Sequence, residues 1–101
     1  MNNYKIDYDK RCLYLTYNGE DYSFHLDNGD IGDYWYSFGD EKQMYDINFH
    51  QESSECNPSL EVYKCKGIGN NLWEIDMTKY EIIPLQSFEG NPNNYFNQTK
   101  N

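Results

Sequence analysis

Cys12-Leu13-Tyr14-Leu15-Thr16-Tyr17 runs into Asn18-Gly19 and out again through Asp21-Tyr22-Ser23-Phe24-His25-Leu26. The second half alternates with a period of two, which puts Tyr22, Phe24 and Leu26 on one face of a strand. Asn-Gly is the strongest short-range hairpin signal, because both residues tolerate the positive φ that a tight two-residue turn requires. The stretch is therefore read as an antiparallel hairpin, and it sets the class of the fold.

Similar runs recur outward from it. Tyr4–Tyr8 is a short strand on the N-terminal side. After the polar turn Asp27-Asn28-Gly29-Asp30-Ile31-Gly32-Asp33, Tyr34–Phe38 reads as a strand with aromatic residues on both faces, ended by Gly39-Asp40. Tyr45–His50 alternates cleanly, with Tyr45, Ile47 and Phe49 facing inward and Asp46, Asn48 and His50 outward. Gln51–Ser59 reads as a loop, Leu60–Lys66 as a strand, Gly67–Asn71 as a turn, Trp73–Met77 as the next strand and Tyr80–Leu85 as the last. Helical turns are expected only at Gly39–Gln43 or Met77–Tyr80. Seven or eight short strands at this spacing predict an all-β, mainly antiparallel domain, a small barrel or sandwich over residues 1–86. Residues 87–101, rich in Asn, are expected to form a flexible tail, with Tyr95-Phe96 pinning part of it.

Composition agrees. The chain of 101 residues contains no alanine, the best helix former, while aromatic residues make up 18%. Mean hydropathy is −1.01, so the core has to be built largely from rings, each burying about 150–250 Å². Thirteen asparagines, eleven tyrosines and no alanine point to an AT-rich coding sequence of the kind found in phage and other mobile elements. The N-terminus lacks the apolar core of a secretory signal and no window is long and apolar enough to span a membrane. With Cys12, Cys56 and Cys65 forming no metal or disulfide pattern, the expected setting is a reducing cytoplasm, where the Asn97-Gln98-Thr99 sequon has no consequence.

Motifs for chemistry are weak. A calcium loop starting at Asp27 would need ligands where Gly29, Ile31 and Phe38 stand. Gly67-Ile68-Gly69-Asn70-Asn71-Leu72 lacks the third glycine of a dinucleotide loop and lies between two strands, so a hairpin turn explains it. A thiol–imidazole pair drawn from the three cysteines with His25 or His50 is available in any chain of this composition. Neither metal, cofactor nor catalytic activity is expected.

Charge is the informative feature. Residues 20–61 carry eleven acids against Lys42 alone, a net −10, whereas residues 1–19 sum to +1 and residues 62–101 to 0. Tyr22, Phe24, Tyr34, Trp35, Tyr36, Phe38, Tyr45 and Phe49 are interleaved with those acids. Aromatic platforms also bind single-stranded nucleic acid, but there they line a positive groove; phosphates would be repelled here. The expected function is a small acidic inhibitor that occupies the basic nucleic-acid-binding surface of another protein, a nuclease or effector, as anti-CRISPR and anti-restriction proteins do. The residues expected to carry it are Asp27, Asp30, Asp33, Asp40, Glu41, Asp46, Glu52 and Glu55, with Trp35 or Tyr36 as the aromatic anchor. An immunity protein against a cognate toxin fits the same charge pattern, and a ligand-binding barrel lined by Tyr and Trp is the rival from another class. Exposed rings would equally suit a homodimer.

Overall fold

A computed structural model describes residues 1–26, 32–53 and 55–93. Eight strands follow in order: β1 (Asn3–Asp7), β2 (Cys12–Tyr17), β3 (Glu20–His25), β4 (Gly32–Gly39), β5 (Met44–Gln51), β6 (Ser59–Gly69), β7 (Leu72–Ile82) and β8 (Leu85–Glu89). They form two sheets of four, ordered β3-β2-β1-β8 and β4-β5-β6-β7. Among the described residues neither sheet closes on itself, so of the two expected architectures the sandwich is the one formed.

The opening hairpin pairs as its sequence dictates. Tyr17 faces Glu20 across a two-residue loop, and both loop residues take positive φ, 52° at Asn18 and 86° at Gly19. The same device closes β6 onto β7: Gly69 faces Leu72, and Asn70 and Asn71 take φ of 55° and 61°. Because Asn tolerates the left-handed region, the glycine-rich run before it stays in the strand. β6 and β7 thereby become 11 residues long each, longer than the sequence pattern indicates.

Strand alternation fills the space between the sheets. Tyr4, Ile6, Leu13 and Leu15 from the first sheet meet Ile47, Phe49, Leu60 and Val62 from the second, all almost fully buried. Tyr4 meets Phe49 edge-on with centroids 6.4 Å apart. Toward one end the filling is rings: Tyr17, Tyr22 and Phe24 pack on Tyr36, Phe38 and Tyr45 at centroid separations between 4.5 Å (Tyr22–Phe38) and 6.2 Å (Phe24–Phe38). Each such pair contributes about 0.5–1.5 kcal/mol beyond its buried area. At the other end the Tyr8 hydroxyl donates to Gln51 Oε1 at 2.6 Å, tying the sheets together. The Gln51 amide in turn donates to the Ser53 and Cys56 carbonyls, both at 3.0 Å, and so shapes the loop before β6.

Two local expectations are corrected. Ser87, Phe88 and Glu89 are not tail: they complete β8, which runs parallel to β1 with Lys5 opposite Ser87 and Asp7 opposite Glu89. Pro84 separates β8 from β7 because it has no N–H to donate, while its carbonyl accepts from Tyr4 N at 3.1 Å. Residues 77–80 form no helical turn but lie within β7. Tyr95 and Phe96 fall outside the described residues.

Candidate functional site

The inward side chains of β4, β5 and β6 belong to the core, so the intervening residues form the outer face of the second sheet. Its rows are fixed by register: Asp33, His50 and Ser59; then Trp35, Asn48, Glu61 and Ile82; then Ser37, Asp46, Tyr63 and Tyr80. Trp35 and Tyr63 stand on strands separated by β5, yet their ring centroids are only 5.7 Å apart. Strands two apart in a sheet are separated by about 9.5 Å, so the rings lean toward each other over β5. Tyr80 extends the row, 5.6 Å from Tyr63. Trp35 is 51% exposed, Tyr80 56% and Ile82 69%, whereas Tyr63 between the two outer rings is buried, so the row opens to solvent at Trp35 and at the Tyr80–Ile82 side.

Beneath the rings lie polar groups. Asn48 is buried on its outward-facing phase, and its Nδ2 has no hydrogen-bond partner; neither has Glu61 Oε2, on the residue directly opposite. Among the described residues these are the two buried side-chain polar atoms left without one, and both sit on this face. Such a group costs about 1–3 kcal/mol. A face that tolerates this is not arranged for stability alone.

Acids rim the rings. His50 lies between two carboxylates, with Asp33 on Nδ1 and Glu52 at 3.4 Å from Nε2. The hydrogen bond that its Nδ1 donates to Asp33 is the main reason its pKa rises, with Glu52 adding to it. Contact on opposite sides of one imidazole keeps the carboxylates from converging on an ion, and no group of three His, Cys, Asp or Glu among the described residues is placed to hold a metal. Ser37 donates to Asp46 at 2.6 Å. Cys65, also beside Asp46, has its thiol pKa raised by burial and by that carboxylate.

The structure thus brings together Asp33, Trp35, Asp46 and Glu52 of the expected residues. Glu55 is exposed in the adjoining loop. Tyr36 is corrected: it faces inward, packed on Phe24 at 5.0 Å, and its hydroxyl donates to the His25 carbonyl at 2.6 Å. Alternation on β4 lets only one of two adjacent aromatic residues face out, and that one is Trp35. Asp40 and Glu41 are also separated from the patch. They sit in the β4–β5 turn, roughly 20 Å along the strand from Asp33, where Asp40 Oδ1 accepts from Lys42 N at 2.8 Å and Gln43 N at 3.1 Å. Those bonds hold its carboxyl below the usual range. Asp27 and Asp30 lie outside the described residues.

Tyr63, Tyr80, Glu61 and Ile82 are the residues of the face that sequence reasoning missed. Once Leu60 and Val62 are assigned inward, Glu61 and Tyr63 must point out, so the phase of β6 was the available signal. Cys12 and His25 turn out to be cross-strand partners, but they stand on the other sheet, away from this face. Comparison with models of protein families, with curated proteins and with solved structures returns no match, so the geometry of the face is what informs its function.

Proposed function

We propose that this chain is a non-catalytic binding protein whose outer β4–β7 face docks onto a basic protein surface, and that the surface it covers is one used to bind nucleic acid. The carrying observation is the Trp35–Tyr63–Tyr80 row, exposed at Trp35 and Tyr80 and seated on the buried Tyr63, with Asp33, Asp46 and Glu52 on the same face. Rings supply desolvated contact area, and carboxylates steer a cationic partner and pair with its Lys or Arg. A second copy of the chain would set the same acids against themselves, which favours a different, basic partner over a homodimer. The space between the sheets is filled by packed aliphatic side chains and rings, which weighs against the ligand-binding barrel. No helix among the described residues is long and apolar enough to cross a membrane. An immunity role would use the same face.

The test has two stages. Partners retained from lysate at low salt are identified, and the purified candidate is then assayed for nucleic-acid binding with increasing amounts of this protein. The expected result is competitive loss of nucleic-acid binding, weakened at high salt and reduced by at least about tenfold in affinity by Trp35→Ala. Inhibition that survives both Trp35→Ala and Asp33→Lys/Asp46→Lys in folded protein would overturn the proposal.

A further inference from the structure

At the opposite end of the second sheet, next to the turn that carries Asp40 and Glu41, lysines gather in one pocket. We infer that a pocket at the base of the β6–β7 hairpin, lined by Lys42, Lys64, Lys66, Lys79 and Trp73, is a binding site for the phosphoryl group of a small molecule. Its volume is about 300 Å³, near the lower end of small-ligand sites. Four lysines and one acid, Asp76, are among the residues that line it, a net of +3 in a chain of −9.

Their convergence is built by the backbone. Lys64 and Lys66 alternate along β6. Between the pairs Tyr63–Tyr80 and Cys65–Ile75, the one residue Lys64 faces four, Asp76 to Lys79, so β7 bulges at this point. Asp76 Oδ1 holds the bulge by accepting from Thr78 N at 3.0 Å and Thr78 Oγ1 at 2.6 Å. A bulge of this kind re-aims side chains, and here it delivers Lys79 to the pocket. Lys42 arrives from the β4–β5 turn, which Gln43 fastens to β6 by donating to the Cys65 carbonyl at 2.6 Å.

No described carboxylate lies within ion-pair distance of any of the four lysines; the ion pairs among the described residues involve Lys5 and His50. Asp76 has its Oδ1 already occupied by Thr78. The cations are thus drawn together without an internal counter-ion of equal charge, and an added dianion relieves their mutual repulsion. Trp73 faces Gly67 across the hairpin, and its ring forms a flat wall beside the lysines. That wall suits a ring or sugar attached to the phosphate.

Trp35 and Trp73 are the two tryptophans, so Trp35→Phe leaves Trp73 as the sole indole reporter. The full chain carrying that change is titrated with inorganic pyrophosphate, with ADP in a parallel calorimetric arm. Saturable change in Trp73 emission is expected, about tenfold weaker in Lys66→Ala/Lys79→Ala and retained in Lys66→Arg/Lys79→Arg. Tighter binding of ADP than of pyrophosphate would support a ring on the Trp73 wall. Should the alanine pair lose its β-sheet circular dichroism, Lys66→Gln takes its place. The inference is overturned if sodium chloride at matched ionic strength gives the same emission change. Unaltered affinity in a folded lysine variant, or no saturation by about 10 mM pyrophosphate, overturns it equally.

Discussion

Across the outer face of β4 and β5 the polar groups around the rings are Asp33, Asp46 and Glu52, whereas the β6–β7 hairpin of the same sheet carries Lys64, Lys66 and Lys79. One region rests on a core of interlocked side chains. The other continues past Cys65 into exposed residues, with Ile68 55% and Leu72 58% accessible. The difference teaches how a segment of zero net charge can hide a local field. Residues 62–101 balance four acids with four lysines, yet register places three of those lysines in one pocket and leaves Glu74, Glu81 and Glu89 outside it. Charge summed along a chain and charge summed over a surface are different quantities.

Stability should divide along the same line. Phe49, 1% exposed and in contact with Tyr4 and Tyr34, anchors the body. Phe49→Ala is expected to cost about 3–5 kcal/mol by urea denaturation, whereas Trp73→Ala at the hairpin should cost under about 1 kcal/mol. Equal losses would mean that the hairpin folds as part of the core.

The joint between the regions is the next target. Gly39 has φ of +120°, and a Cβ there would lie 2.4 Å from the Gln43 carbonyl oxygen, in the turn that carries Lys42 and Gln43. Gly39→Ala is expected to destabilise by about 2 kcal/mol, read as a lowered urea midpoint with an unchanged slope. An unchanged midpoint would show that the turn reshapes freely.

The smallest effect belongs to the acidic rim. The pKa of His50 is raised above 6.5 by Asp33 and Glu52. Its contribution to stability is therefore complete below the unfolded value near 6.5 and lost as pH rises through the higher folded value. With the side chain 36% exposed, screening keeps that contribution small. Between about pH 6 and pH 8 the urea midpoint should fall more in the wild type than in His50→Ala. Parallel profiles would show that the two carboxylates do not hold the imidazolium.

Much of the fold was legible because alternation has a fixed period. The Asn18-Gly19 turn, the inward Tyr45, Ile47 and Phe49, and the rings that fill one end of the core all follow from spacing and residue type, although the most deeply buried residues are mainly Ile, Leu and Val. Trp35 and Tyr36 could not be told apart as anchors, since adjacent strand residues face opposite ways and each is aromatic. Strand neighbours are set by long-range pairing, which no local pattern encodes. That is why the parallel pairing of β8 on β1 went unread, and with it the strand character of Ser87 and Phe88. The lysine pocket was hidden for the same reason, as Lys42 and Lys79 meet only through a bulge and a turn.

The β1–β8 pair has a mechanical consequence. Because the strands are parallel, Asn3 at the start of β1 and Glu89 at the end of β8 lie at opposite ends of the pair. Force applied between residues 2 and 90 would load the connecting hydrogen bonds side by side in shear instead of opening them one after another. The first and last strands of the sandwich therefore act as a clamp that resists being drawn apart along their length, although the pair is only five residues long on each side.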